Sequence, residues 1–340
     1  MESTKRTITF IVNPISGTKN KQQILDQIED LIDRTRFSFQ IKKTEYAGHA
    51  AILAHEAVQA GIDMVVAIGG DGTVNEVARS LTHTPTALGI IPCGSGNGLA
   101  RHLQIPMDSK KAISIINQCH IECLDYGKIN GLPFFCTCGV GFDAFVSFKF
   151  ANAGKRGLLS YLENTLREGL RYKPETYLVE DETGTVKYKA FLIACANASQ
   201  YGNNAYIAPE ASMSDGLMDI TIMEPFSTIE SPQIAIQLFN KTLEKNSHIK
   251  MFKAKKIKIT RQTEGAVHCD GDPLITGKTI EVEIIEKGLN IITNPQSEIR
   301  NENFLQFFTG LFENIHDEIM IQNRRLQSIN KFWLSKLKKK

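Results

Sequence analysis

Between residues 7 and 97 the chain switches repeatedly between two hydrophobic periods, and this alternation constrains the fold more than any other feature. The run TITFIV (7–12) is almost wholly apolar or β-branched, as a strand covered on both faces must be. Residues 19–35 then place Ile24, Leu25, Ile28, Leu31 and Ile32 at helical spacing, and FSFQIKKT (37–44) is extended again. A helical segment over 50–60, the buried run DMVVAI (63–68), a helix over 75–81, the run ALGIIP (87–92) and a helix from Asn97 continue the pattern. Strands alternating with helices pair in parallel, so this half predicts a doubly wound parallel α/β domain. After about residue 128 the texture changes to short β-rich runs bounded by turn residues, among them PFFCTCGVG, GLMDITIME, KIKITRQ, GAVHCDGDPL and KTIEVEIIE. They predict a second, mainly antiparallel β domain carrying one helix over 158–170. The expected division is 1–128, completed by 288–297, then 129–287, then an extension over 298–340; 340 residues exceed what one core needs.

Three glycine-rich turns fall at the C-terminal ends of predicted parallel strands, where open α/β sheets bind ligands. They are Asn13-Pro14-Ile15-Ser16-Gly17, the segment Gly69-Gly70-Asp71-Gly72-Thr73-Val74-Asn75-Glu76, and Pro92-Cys93-Gly94-Ser95-Gly96-Asn97-Gly98. Glycine lets backbone amides approach phosphate oxygens, and free N–H groups at a helix start favour anions. One such turn is as often a tight connection as a ligand site; three together favour a phosphate cradle. None is a P-loop, and Gly94-x-Gly96-x-Gly98 lacks the dinucleotide spacing, which argues against a redox domain. Asp71 would repel phosphates unless a divalent cation lay between them, so the carboxylate implies a nucleotide carrying Mg²⁺.

NPISG, GGDGTVNEV and PCGSGNGLAR, in that order on that pattern, resemble the diacylglycerol-kinase catalytic domain shared by bacterial diacylglycerol kinases, sphingosine kinases and ceramide kinases. The resemblance continues through Gly139-Val140-Gly141-Phe142-Asp143, Asn197, Tyr201-Gly202, Ile207-Ala208-Pro209, Asp215-Gly216 and Asp270-Gly271-Asp272, and covers roughly residues 7 to 296. It implies a first domain like that of NAD kinases and phosphofructokinases, followed by an antiparallel β-sandwich. It also implies ATP across Asn13, Pro14, Ile15, Ser16, Gly17, Thr44, Gly70, Asp71, Gly72, Thr73, Val74, Asn75, Glu76 and Ser95, with Asp71 facing the phosphates and Mg²⁺. A second, structural Mg²⁺ maps onto Ser212, Asp215 and Leu217, although Ser214 stands where many bacterial members have another Asp. Catalysis maps onto Asp71, Asp270 and Asp272; the family usually has Glu at the last position, and the shorter arm favours Asp270 as the base. An Asp-Gly hairpin turn is the plain alternative for that segment.

The activity implied is ATP-dependent transfer of the γ-phosphoryl group to a hydroxyl of a lipid such as diacylglycerol or a sphingoid base, a transferase step of phospholipid biosynthesis. NAD kinase, which shares GGDGT, and a lipid- or nucleotide-binding protein that has lost catalysis are the rivals. A net charge of +2 excludes wholesale nucleic-acid binding, and seven scattered cysteines without C-x-x-C read as reduced thiols. No apolar run reaches the ~20 residues that cross a bilayer, so the expectation is a cytoplasmic protein held peripherally at the inner face of the membrane. His49, His102 and His268 receive no catalytic role, since phosphoryl transfer needs no His base. Lys250, Lys253, Lys255, Lys256, Lys258 and Arg261 form a cationic stretch that suits either a solvated strand or an anionic membrane. In the extension, apolar residues such as Phe304, Ile315 and Trp333 share a helical face that ends in seven cations, suited to a membrane surface, to the kinase core or to a second copy in a homodimer.

Overall fold

The computed structural model describes residues 5–17, 19–153 and 172–295; the predicted helix over 158–170 and the extension over 298–340 lie outside them. Parallel strands β1 (Arg6–Val12), β2 (Phe37–Lys43), β3 (Met64–Gly69) and β4 (Ala87–Pro92) lie in the order β2-β1-β3-β4. Helices α1 (Lys21–Leu31) and α5 (Ser109–Gln118) pack together, as do α2 (His49–Gln59) and α3 (Asp71–Leu81). Because right-handed crossovers step left from β1 and right from β2, the two pairs cover opposite faces. β3 and β4 are buried at every residue, which is why they read as continuous apolar runs. The helix expected to start near Asn75 begins at Asp71, inside the glycine-rich motif itself. First-turn N–H groups have no intrahelical partner, so Gly72 there does not break the helix.

A short helix α4 (Gly98–His102) follows the third glycine turn, and β5 (Ile121–Ile129) leads into the second lobe. There the strands are β6 (Leu132–Phe134), β7 (Thr137–Gly141), β8 (Glu175–Asp181), β9 (Gly184–Ala190), β10 (Leu192–Ala196), β11 (Met218–Met223), β12 (Ile249–Ala254), β13 (Lys256–Arg261), β14 (Gly265–Cys269), β15 (Asp272–Thr276) and β16 (Thr279–Ile292). Helices α6 (Phe142–Ala153) and α7 (Ser231–Phe239) interrupt them. One sheet runs β12-β11-β10-β7-β14-β15, antiparallel throughout. The other extends the first lobe's sheet through β16 to β13, β8 and β9. Val140, Ile193, Ile220 and Val267 from the first sheet and Tyr177, Ile259, Ile280 and Val282 from the second share one core, which makes this lobe a β-sandwich. β16 pairs with β13 near its start and with β4 at Ile291, and its register with β5 shifts between Ile285 and Leu289. That bulge bends one strand from the sandwich into the parallel sheet. All seven cysteines are free.

Candidate active site

The order β2-β1-β3-β4 reverses between β1 and β3, and a crevice opens outside the carboxyl ends of the strands at such a reversal. Asn13 follows β1, Thr44 follows β2, Gly70 follows β3 and Ser95 lies just beyond β4, so the predicted nucleotide residues gather at one sheet end. The loops are in contact. Asn13 Nδ2 donates to Thr73 Oγ1 at 3.1 Å, and the Thr44 N–H to the Val12 carbonyl at 2.9 Å. A Cβ on Gly94 would stand 2.8 Å from the Gly70 Cα, and Gly17, at φ +62°, would put one 1.7 Å from the Cys93 carbonyl oxygen. Only glycine permits that approach. Pro14, Ile15, Gly72 and Ser95 are exposed on the rim, whereas Thr73, Val74 and Asn75 are buried beneath it.

Two carboxylates of the cradle have protein partners that the motif does not announce. Asp71 accepts from the N–H of Asn97 at 2.8 Å and of Gly98 at 2.7 Å, one bond to each oxygen, and so clamps the third glycine turn to the second. Glu76 accepts from the N–H of Gly48 at 2.9 Å and of Ala50 at 3.1 Å, holding the start of α2 rather than standing open to a ligand. Lys19 and Lys21, not singled out from sequence, bind the loop down. Lys19 Nζ donates to the carbonyls of Pro92, at 3.0 Å, and Met107; Lys21 Nζ donates to that of Ser16 at 2.6 Å. Burial lowers the Lys19 pKa.

The second lobe contributes the β14–β15 hairpin. Asp270 and Gly271 both have positive φ, 51° and 86°, the mark of a type I′ turn, so the plain hairpin reading of Asp-Gly is part of the answer. The Asp270 carboxylate accepts from the N–H groups of Phe135, Cys136 and Thr137 at 2.8, 2.7 and 3.1 Å. Burial pushes its pKa up to about 6, against the pull of those three donors. Asp272 is an exposed residue, yet protein atoms crowding its carboxyl raise the pKa; Arg79 opposes this, and the carboxylates of Glu76 and Asp71 add to it. Arg79 ties α3 to the hairpin through Cys269 Sγ at 3.7 Å and to β6 through the Pro133 carbonyl at 3.3 Å.

Of the discounted histidines, His268 is buried and His102 half-buried. His268 Nε2 and Tyr201 Oη each lie 3.0 Å from Asp143 Oδ2, joining β14, α6 and the loop after β10. His102 Nδ1 lies 3.1 Å from both the hydroxyl and the N–H of Ser199, and burial lowers its pKa to about 4.

The donor sets for the two implied Mg²⁺ ions differ. Asp71 keeps a lone pair on each oxygen and stands among like charges, which suits an ion brought in by nucleotide phosphates. The loop Ser212–Leu217 does not present a comparable set. Asp215 Oδ1 accepts from the Leu217 N–H at 3.1 Å and Oδ2 pairs with Lys253 Nζ at 2.7 Å, while the hydroxyls of Ser212 and Ser214 lie 3.2 Å apart. Among the described residues no three His, Cys, Asp or Glu side chains are grouped to hold a metal.

The cationic stretch of β12 and β13 is also matched by neighbouring strands. Lys250 pairs with Glu224 at 2.6 Å, Lys255 with Glu286 at 2.8 Å, Lys256 with Glu281 at 3.3 Å and Lys258 with Glu180 at 2.7 Å. Arg261 is buried and donates to the carbonyls of Gly265, Ala266, Thr276 and Gly277. No helix among the described residues is long and apolar enough to cross a membrane.

A diacylglycerol kinase of Bacillus subtilis is 27% identical over 77% of this chain and 88% of its own. One of Staphylococcus saprophyticus is 24% identical over 89% and 99%. The crystal structure of a diacylglycerol kinase from Bacillus anthracis superposes with a TM-score of 0.67 at 23% identity, covering 86% of this chain and 98% of the other, and at that identity it speaks for the fold alone. Residues 7–129 match the diacylglycerol kinase catalytic domain and residues 136–293 the YegS C-terminal NAD kinase beta sandwich-like domain, so that a parallel α/β lobe with its cradle of strand-end loops and a β-sandwich lobe with its Asp-Gly-Asp hairpin place this chain in the diacylglycerol kinase family of lipid kinases.

Proposed function

We propose that the chain is an ATP-dependent lipid kinase that phosphorylates a hydroxyl of a diacylglycerol, or of a sphingoid base, with Asp272 taking the hydroxyl proton. One observation carries this: the hairpin of the sandwich lobe that bears Asp272 is tied through Cys269 Sγ to Arg79 on α3, the helix that begins at Asp71 in the cradle, and a base must stand near the nucleotide loops if the acceptor hydroxyl is to meet the γ-phosphate. Asp272 is preferred over Asp270 because three N–H donors occupy the Asp270 carboxylate, which holds the turn. As the lipid oxygen bonds to the γ-phosphorus, its proton passes to Asp272 and the bond to the β–γ bridging oxygen breaks, leaving ADP. The three turns would hold the phosphates, and Asp71 would back the cation that comes with them. Mg²⁺ bound there supplies neutralisation of the charge on the phosphates. Asp71 is also a loop clamp, so the phosphate loops keep their spacing only while its carboxylate is present.

A lipid acceptor is met at a membrane surface, so peripheral attachment belongs to this reading, with the extension over 298–340 as its candidate anchor. Diacylglycerol is preferred as acceptor because the relatives bear that name. The test is ADP release by wild type, Asp71→Asn and Asp272→Asn with diacylglycerol, a sphingoid base and NAD in parallel. Lipid-dependent release lost in both variants is expected. Release with NAD alone, or none with any acceptor, refutes the proposal.

A further inference from the structure

We propose that the ammonium of Lys253 occupies the place of a structural divalent cation beside the loop Ser212–Leu217, so that the sandwich lobe folds without bound metal. Lys253 lies opposite Asp219 in the β11–β12 register. Its Nζ stands 2.7 Å from Asp215 Oδ2, 3.3 Å from Asp219 Oδ2 and 3.4 Å from the Glu210 carbonyl oxygen, three oxygens around one positive centre. A divalent ion sharing Asp215 Oδ2 would bind at about 2.0–2.6 Å, close against an ammonium already on that oxygen. The rest of the loop is satisfied from within the protein. Asp215 Oδ1 takes the Leu217 N–H, Ser212 Oγ takes the Ser214 N–H at 3.3 Å, and the buried carboxylate of Asp125 takes the N–H groups of Gly216 at 2.9 Å and Lys287 at 2.7 Å. Serine at 214 withholds the additional carboxylate a divalent ion would want.

This inference does not depend on the kinase reading, and its test needs no turnover. Full-length, nucleotide-free protein is melted in EDTA and in excess Mg²⁺, for wild type, Lys253→Met and Asp215→Asn. Wild type should melt at the same temperature in both. Lys253→Met should melt lower in EDTA and regain stability with Mg²⁺, because two adjacent carboxylates are then free to take it. Asp215→Asn should lose equally in both conditions, and this arm stands alone if Lys253→Met does not fold. A wild-type melting temperature that rises with Mg²⁺, together with an Asp215→Asn loss confined to Mg²⁺, overturns the proposal. So does a Lys253→Met protein as stable as wild type in EDTA.

Discussion

At Asp270 and Asp272, identical side chains two residues apart meet opposite environments. Asp272→Asn should lower kcat by about 10²–10⁴-fold, the usual contribution of a general base, and leave KM for ATP nearly unchanged. Steady-state kinetics check this. Because Asp272 carries a raised pKa, wild-type activity should fall on acidification at a pH above the ordinary carboxylate range. Asp270→Asn should act first on stability: an amide cannot accept from three N–H donors as a carboxylate does, and a buried group left short of partners costs about 1–3 kcal/mol. Asp270 also sets a pH slope. Its folded pKa of about 6 lies above the ordinary value of 3.8, so the native state holds the proton longer. The resulting stabilisation is complete below pH ~4 and is lost as pH rises through about 6, a change on the order of 2–3 kcal/mol. Urea melts of wild type and Asp270→Asn at pH 4.5 and pH 6.5 should therefore show wild type losing ground to the variant at the higher pH.

Among the elements, α2 depends on a neighbour for its start. Its N-cap is Gly48 in left-handed conformation without a side-chain cap, and Glu76 from α3 supplies the missing acceptor. Glu76→Ala should cost about 1–2 kcal/mol, as loss of a capping group does, and be visible as a lower melting temperature. The paired strands β12 and β13 lead to a second expectation. Exposed ion pairs contribute about 0–1 kcal/mol, and a cation with a carboxylate at 2.7 Å offers little net charge to lipid. The double change Lys258→Gln with Glu180→Gln should thus leave both melting temperature and sedimentation with anionic vesicles close to wild type. Reduced vesicle binding would restore the strand as a lipid contact. In sequence the cations stand alone because their partners come from β8, β11 and β16 and from the turns beside them, and cross-strand pairing is a long-range fact.

For the molecule as a whole, β16 is the shared component, pairing with the sandwich at one end and the parallel sheet at the other. Leu289 lies just past its bulge and is wholly buried, so Leu289→Ala should cost about 2–5 kcal/mol. Calorimetry should then show one transition shifted down as a unit, because neither lobe can release β16 alone. Two separated transitions would show the lobes to be independent. What the sequence determined by itself was the class of each lobe and the positions of the glycine turns. Burial on both faces and local backbone freedom leave their mark within a few residues, so β3, β4 and Gly70 are legible in short windows. Tertiary structure decided what each polar group does. Asp71 clamps a loop, Glu76 caps a helix, Asp270 holds a turn, and Lys253 pairs with Asp215. Those roles rest on N–H donors and charges many residues away along the chain, and a carboxylate's partner is chosen by the fold that brings the donor to it.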